Sequence, residues 1–172
     1  MSIRIFLLLS LFAIFLFSCE SECKLQPIPE KVFDLNKVQK VLILKSQNVI
    51  DSAIIVEKND YYEKTSFKGP LNYRECEHYK SYEYKFRDDN ILVSVRKNVV
   101  NSLELDLLAF GNCPNFKRKK KIAEKELLLN KEYSFEKDFD CEQTNSNIKK
   151  VVLKGFLIES ITTTDNKVWK IK

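Results

Sequence analysis

The chain has 172 residues, 44% of them hydrophobic and 31% charged, with a net charge of +5 and only three glycines. That length suits one domain, long enough to bury a core of its own without staples. The mild positive balance singles out no polyanionic partner, and three glycines leave no phosphate-cradling loop and no G-x-S-x-G elbow.

Residues 1–18 have the layout of an export signal. Arg4 is the single charge of a short leading segment, and Ile5 to Phe17 is apolar except for Ser10. These 13 residues fall short of the roughly 20 that a helix needs to cross the hydrocarbon core. The stretch ends in Leu16-Phe17-Ser18-Cys19. It resembles the lipobox of bacterial lipoproteins, with a branched apolar residue three before a cysteine and a small residue directly before it. The resemblance covers about the first 20 residues and departs from the commonest pattern at Phe17, where a small residue is usual. It implies a diacylglyceryl group on the Cys19 thiol, cleavage between Ser18 and Cys19, and acyl chains such as palmitate holding the protein to a membrane. Two or three chains anchor stably where one is marginal. The implied address is extracytoplasmic, on a lipid-anchored envelope membrane, at the outer membrane or cell surface.

The expected organisation is therefore a signal at 1–18, a tether at 19–32 and one β-rich domain at 33–172. Pro27 and Pro29 stiffen the tether, and residues 20–30 reach roughly 35 Å when fully stretched. Glu20 and Glu22 are read as solubilising charges. With Cys19 assigned to lipid, Cys23, Cys76, Cys113 and Cys141 remain, an even number in a disulfide-permissive compartment. Cys113 and Cys141 flank one basic excursion and are the favoured pair. Free, buried thiols are the alternative.

Downstream, hydrophobicity alternates with a period of two. Val38 to Leu44 and Val49 to Val56 read as strands. Residues 76–86 place Cys76, His78, Tyr82, Tyr84 and Phe86 on one face, with Lys80 as the exception, and Glu77, Tyr79, Ser81, Glu83 and Lys85 on the other. Arg87-Asp88-Asp89-Asn90 is a turn, and Ile91, Val93 and Val95 lead the chain back. Leu103, Leu105 and Leu107 alternate with acids. Residues 117–129 carry helix formers beside alternating leucines and are read as a loop, followed by a hairpin about Asn130-Lys131. Val151 to Ile161 reads as one long strand, and Val168 to Ile171 closes the chain with Trp169. The predicted fold is all-β, an antiparallel sandwich or small barrel of about eight strands.

Candidate sites are few. His78 is the only histidine. It shares a strand face with Cys76, the one spacing compatible with a thiol–imidazole pair or a soft metal ligand set. A half-buried strand position explains both equally, so no catalytic residue, metal or cofactor is assigned. Lys117, Arg118, Lys119, Lys120 and Lys121 form the one dense charge run. In an exported protein it suits an anionic surface rather than nucleic acid. Six of the seven tyrosines lie between 61 and 84. Of these, Tyr61, Tyr62 and Tyr79 are candidates for an exposed binding patch, and Tyr82 and Tyr84 for the core. The expected function is a non-enzymatic, lipid-anchored binding module whose partner is an envelope protein or glycan. The alternatives are a β-barrel carrier of a small apolar ligand and a small envelope enzyme.

Overall fold

A computed structural model describes residues 25, 27–65, 75–98, 102–110, 119–137 and 145–172, and for 64, 65 and 75 the backbone alone. The signal, Cys19, Cys23, Cys113, Cys141, Lys117, Arg118 and Tyr73 lie outside these residues.

The fold is all-β and antiparallel, as the alternation predicts, but its ten strands form one curled sheet, a half-barrel. In chain order they are β1 (Val41–Ser46), β2 (Val49–Thr65), β3 (Glu75–Phe86), β4 (Asp89–Lys97), β5 (Leu103–Leu108), β6 (Lys119–Ile122), β7 (Glu132–Glu136), β8 (Ile148–Lys154), β9 (Leu157–Thr163) and β10 (Val168–Ile171). The spatial order is β6-β5-β4-β3-β2-β1-β10-β9-β8-β7. The closing strand β10 thus sits beside β1, and two meanders run outward from that seam.

Three of the ten strands, β6, β8 and β9, come from stretches that sequence alone reads otherwise. Val151 to Ile161 is not one strand: the chain reverses at Gly155, whose φ of +62° is a left-handed conformation that other residues adopt only under strain. Its N–H bonds the Lys131 carbonyl at 2.8 Å, which fixes the turn against the start of β7. Residues 119–129 are strand β6 followed by a one-turn helix, α1 (Glu124–Leu128), rather than a loop. The Glu126 side chain accepts from the Ala123 N–H and so supports the first turn of α1.

Every strand sends apolar side chains to the concave face, and β1 and β2 carry others on the convex side as well. On β4, Ile91, Val93 and Val95 are fully buried, and Leu105, Leu107, Val151, Leu153 and Ile161 meet them there. Phe86 and Trp169 pack edge to face at 5.8 Å. The core also takes in Ile28, Val32 and Phe33, so the packed domain begins upstream of residue 33. Phe33 lies 4.6 Å from the Phe156 ring. The edge strands β6 and β7 are joined by a side chain: Lys120 Nζ donates to the Ser134 carbonyl at 2.6 Å and lies over the Phe135 ring at 4.7 Å. Lysines on an edge strand also discourage pairing with another chain.

A β-bulge between Ile55 and Glu57 shifts the register of β2 against β3. Before it, Ala53 and Ile55 share the inner face with Phe86 and Tyr84. After it, Lys58, Asp60 and Tyr62 do, opposite Tyr82, Lys80 and His78. One extra residue re-aims the rest of the strand. It puts the Asp60 carboxylate inside and leaves Tyr61 outside.

Candidate functional site

The residues singled out in the sequence separate onto two faces. His78 is inward and 2% exposed. Its Nδ1 accepts the Ile28 N–H at 2.7 Å, so that nitrogen carries no proton. Nε2 therefore bears the hydrogen and donates to Asp60 Oδ1 at 2.7 Å. Tyr62 stacks on the ring at 4.4 Å. Burial is the main cause that holds the His78 pKa below 6.5. Lys80 and Lys97 act in the same direction, and Asp60 opposes them. Both ring nitrogens are engaged in holding the first packed segment and β2 in place, which leaves neither to serve as a base.

Lys80 is buried on the same face and reaches Asp60 Oδ2 at 3.3 Å. Lys58 donates to the carbonyls of Leu35 and Val38, at 2.7 and 2.8 Å. Cys76 is buried one step along from His78. It is disulfide-bonded, with its partner outside the described residues. Among the described residues no three His, Cys, Asp or Glu side chains cluster as a metal site would require.

Tyr61 and Tyr79 are on the outer face, their rings stacked at 5.4 Å. The Tyr79 hydroxyl donates to Glu77 Oε2 at 2.7 Å. Burial and that carboxylate push its pKa to about 12. Arg96 bridges Glu77 at 3.2 Å and also pairs with Glu104. The three candidate tyrosines thus form no single patch: Tyr62 belongs to the inner face and Tyr61 with Tyr79 to the outer. In the basic run, Lys120 is turned onto β7, and Lys119 stands 3.9 Å from Glu104. Lys121 is exposed.

The topology creates a concavity that leaves no mark in the sequence. β10 is four residues long and ends at Ile171. Its last ladder contact is the Lys172 N–H to the Ile43 carbonyl, at 3.0 Å. Past this contact, no strand of the described residues pairs with the start of β1 or the start of β9 on that side. The gap is an open cleft of about 710 Å³. Leu42, Leu157, Ile158 and Ile171 line it, with Tyr82 and Tyr84 as its floor. Lys37, Lys154 and Lys170 stand on the rim with Glu132 and Glu159. The floor is rigid: Tyr82 OH donates to the Phe156 carbonyl at 2.5 Å, and Tyr84 OH to the Gln39 carbonyl. Burial raises the Tyr84 pKa to about 12 and carries that of Tyr82 well above 10. Both phenols are therefore neutral near pH 7, suited to packing and hydrogen bonding rather than proton transfer.

Comparison with protein-family models, with curated proteins and with solved structures finds no match to this chain.

Proposed function

We propose that the protein is a non-enzymatic binding module of the bacterial cell envelope, held to a membrane by lipid on Cys19. The observation that carries the binding reading is the cleft between β1 and β9. At about 710 Å³ it falls within the roughly 300–1,000 Å³ typical of ligand sites. It combines an apolar floor with polar groups of both signs at its rim. The anchor rests on Leu16-Phe17-Ser18-Cys19.

Two rivals are less well supported. An enclosed carrier needs an empty interior, whereas the concave face is filled by packed side chains such as Phe86, Trp169 and Leu105. An enzyme built on His78 needs a free ring nitrogen, whereas both are committed to structural bonds.

The test is cross-linking in intact cells of the producing bacterium, comparing the natural chain with Glu159→Trp. Glu159 is an exposed rim residue, and an indole there narrows the cleft without touching the core. A defined envelope protein or glycan captured by the natural chain and lost in the variant is the expected result. No capture, or capture indifferent to the variant, counts against the cleft as the binding site.

A further inference from the structure

The convex side of the β10-β1-β2-β3 sheet carries an apolar centre that the packed domain leaves uncovered. Val41 of β1 lies directly opposite Ile54 of β2, with Ile43 and Ile50 on the same face. Val56, at the bulge, extends this surface. These five side chains are between 42% and 59% exposed. An outward-facing strand position is ordinarily polar when it meets water alone, and a contiguous apolar surface marks contact with something else.

The charges around this centre say what that is. Lys85 is the β3 partner of Ile54, and Lys45 is the β1 partner of Ile50. Lys45 also sits directly opposite Lys170 of β10, a like-charge cross-strand pair that disfavours the bare sheet. Lys172 follows on the row of Ile43. One edge is shaped further: a shallow depression of about 400 Å³ lies between Ile54, Val56, Lys85 and Arg87. Asp51 also borders it, but its carboxylate is held by Arg87 at 2.8 Å. The opposed pair Glu57–Glu83, past the bulge, marks the limit of the basic surround.

We propose that this face docks on a bilayer containing anionic phospholipid. The aliphatic side chains enter the headgroup–acyl boundary, and Lys45, Lys85, Lys170 and Lys172 meet lipid phosphates. Branched aliphatic residues ringed by lysines match the layering of such a surface, apolar below and anionic above. A second copy fits worse, because a two-fold contact of the same surface on itself brings the lysines of both copies together. The proposal rests in part on the anchored reading. Residues 19–27 span at most about 30 Å, so a chain lipidated at Cys19 holds the domain within reach of the bilayer.

The test uses residues 19–172 carrying Cys19→Ser, which removes the lipid. All the packing described above lies within residues 27–172, so no described contact is lost. Sedimentation with vesicles of phosphatidylcholine alone is compared with equal parts phosphatidylcholine and phosphatidylglycerol. The expected result is binding to the anionic vesicles only, weakened by salt and reduced about tenfold or more by Ile43→Asp with Ile54→Asp. Lys45→Glu with Lys170→Glu is expected to act likewise. Leu129→Asp, beside α1 and 79% exposed, serves as a control that keeps binding. Circular dichroism verifies the fold of each variant.

Failure to bind anionic vesicles, binding equal for both compositions, or binding that survives both double variants overturns the proposal. So does a dimer, seen by sedimentation equilibrium, that the Ile43/Ile54 variant dissolves while vesicle binding is absent. Because the lipid is missing from the tested chain, this outcome is independent of whether Cys19 is acylated.

Discussion

The backbone N–H of Ile28 donates to Nδ1 of His78 at 2.7 Å, across 50 residues of sequence. It joins the first packed segment to the middle of the sheet, and only an unprotonated Nδ1 can accept it. Protonating His78 sets one N–H against another and breaks the bond. Burial, with Lys80 on β3 and Lys97 on β4, holds its pKa below 6.5 against the opposing pull of Asp60 on β2. A histidine whose pKa is lowered by folding contributes full stability above its unfolded value. It loses that stability as pH falls from about 6.5 toward the folded value. The melting temperature is therefore expected to drop as pH falls below about 6.5. His78→Gln, which keeps an acceptor and a donor but does not titrate, is expected to flatten that part of the profile. An unchanged slope in the variant assigns the dependence elsewhere.

Asp60 serves two buried groups at once, accepting from the neutral His78 imidazole through Oδ1 and pairing with the Lys80 ammonium through Oδ2 at 3.3 Å. Its own side chain is 48% exposed, so solvent screens part of the attraction. Asp60→Ala is expected to cost about 1–3 kcal/mol in urea unfolding, chiefly because Lys80 is left buried without its counter-charge. Adding Lys80→Met to that variant is expected to recover part of the loss. A double variant as unstable as the sum of the single ones removes the coupling.

Gln47 takes a φ of +53° in the turn between β1 and β2. A side chain in the left-handed region costs roughly 1 kcal/mol relative to glycine. Gln47→Gly is expected to raise stability by up to about 1 kcal/mol, read as a higher urea midpoint with an unchanged slope. Arg87, at +57°, is a contrasting case. Its guanidinium lies 4.6 Å from the Trp169 ring and pairs with Asp51, and Arg87→Gly loses those contacts as it relieves the backbone.

Cys76 is expected to resist alkylation until the protein is reduced. Ile28 is fixed against His78, two residues from Cys76 on one strand face. Five residues of chain span up to about 17 Å, which brings Cys23 within reach. The expected peptide map joins Cys23 to Cys76 and Cys113 to Cys141. A Cys76–Cys113 or Cys76–Cys141 peptide contradicts it.

Much of the sheet is legible in the chain, and the failures have local causes. Residues 76–86 and 103–107 alternate because one face packs into the core while the other carries polar side chains, so strands and faces follow directly. The turn after Phe86 follows from its Asp and Asn residues. Gly155 is harder, since Val151 to Ile161 stays apolar straight through a reversal, and the positive φ leaves no mark other than the glycine itself. The bulge at Val56 has no compositional signal, yet it decides that Asp60 faces His78. That pairing depends on register across a hairpin, which periodicity within one strand does not specify. The cleft is further from view, because it arises from a strand that is too short, and its walls come from five separate parts of the chain. Lys80 shows the same limit: it breaks the apolar face in sequence, and its partner becomes apparent only once the strands are paired.

The mass of the N-terminal peptide of the full-length protein, expressed in a bacterium and extracted from its membranes, decides the claim that lipid on Cys19 anchors it. The predicted result is a peptide beginning at Cys19 and carrying a diacylglyceryl group, with or without a further acyl chain on the new amino group. The same preparation of Cys19→Ala is expected to retain residues 1–18 and to lack lipid. A natural chain with a free Cys19 thiol, or one still bearing Leu16-Phe17-Ser18, contradicts the claim.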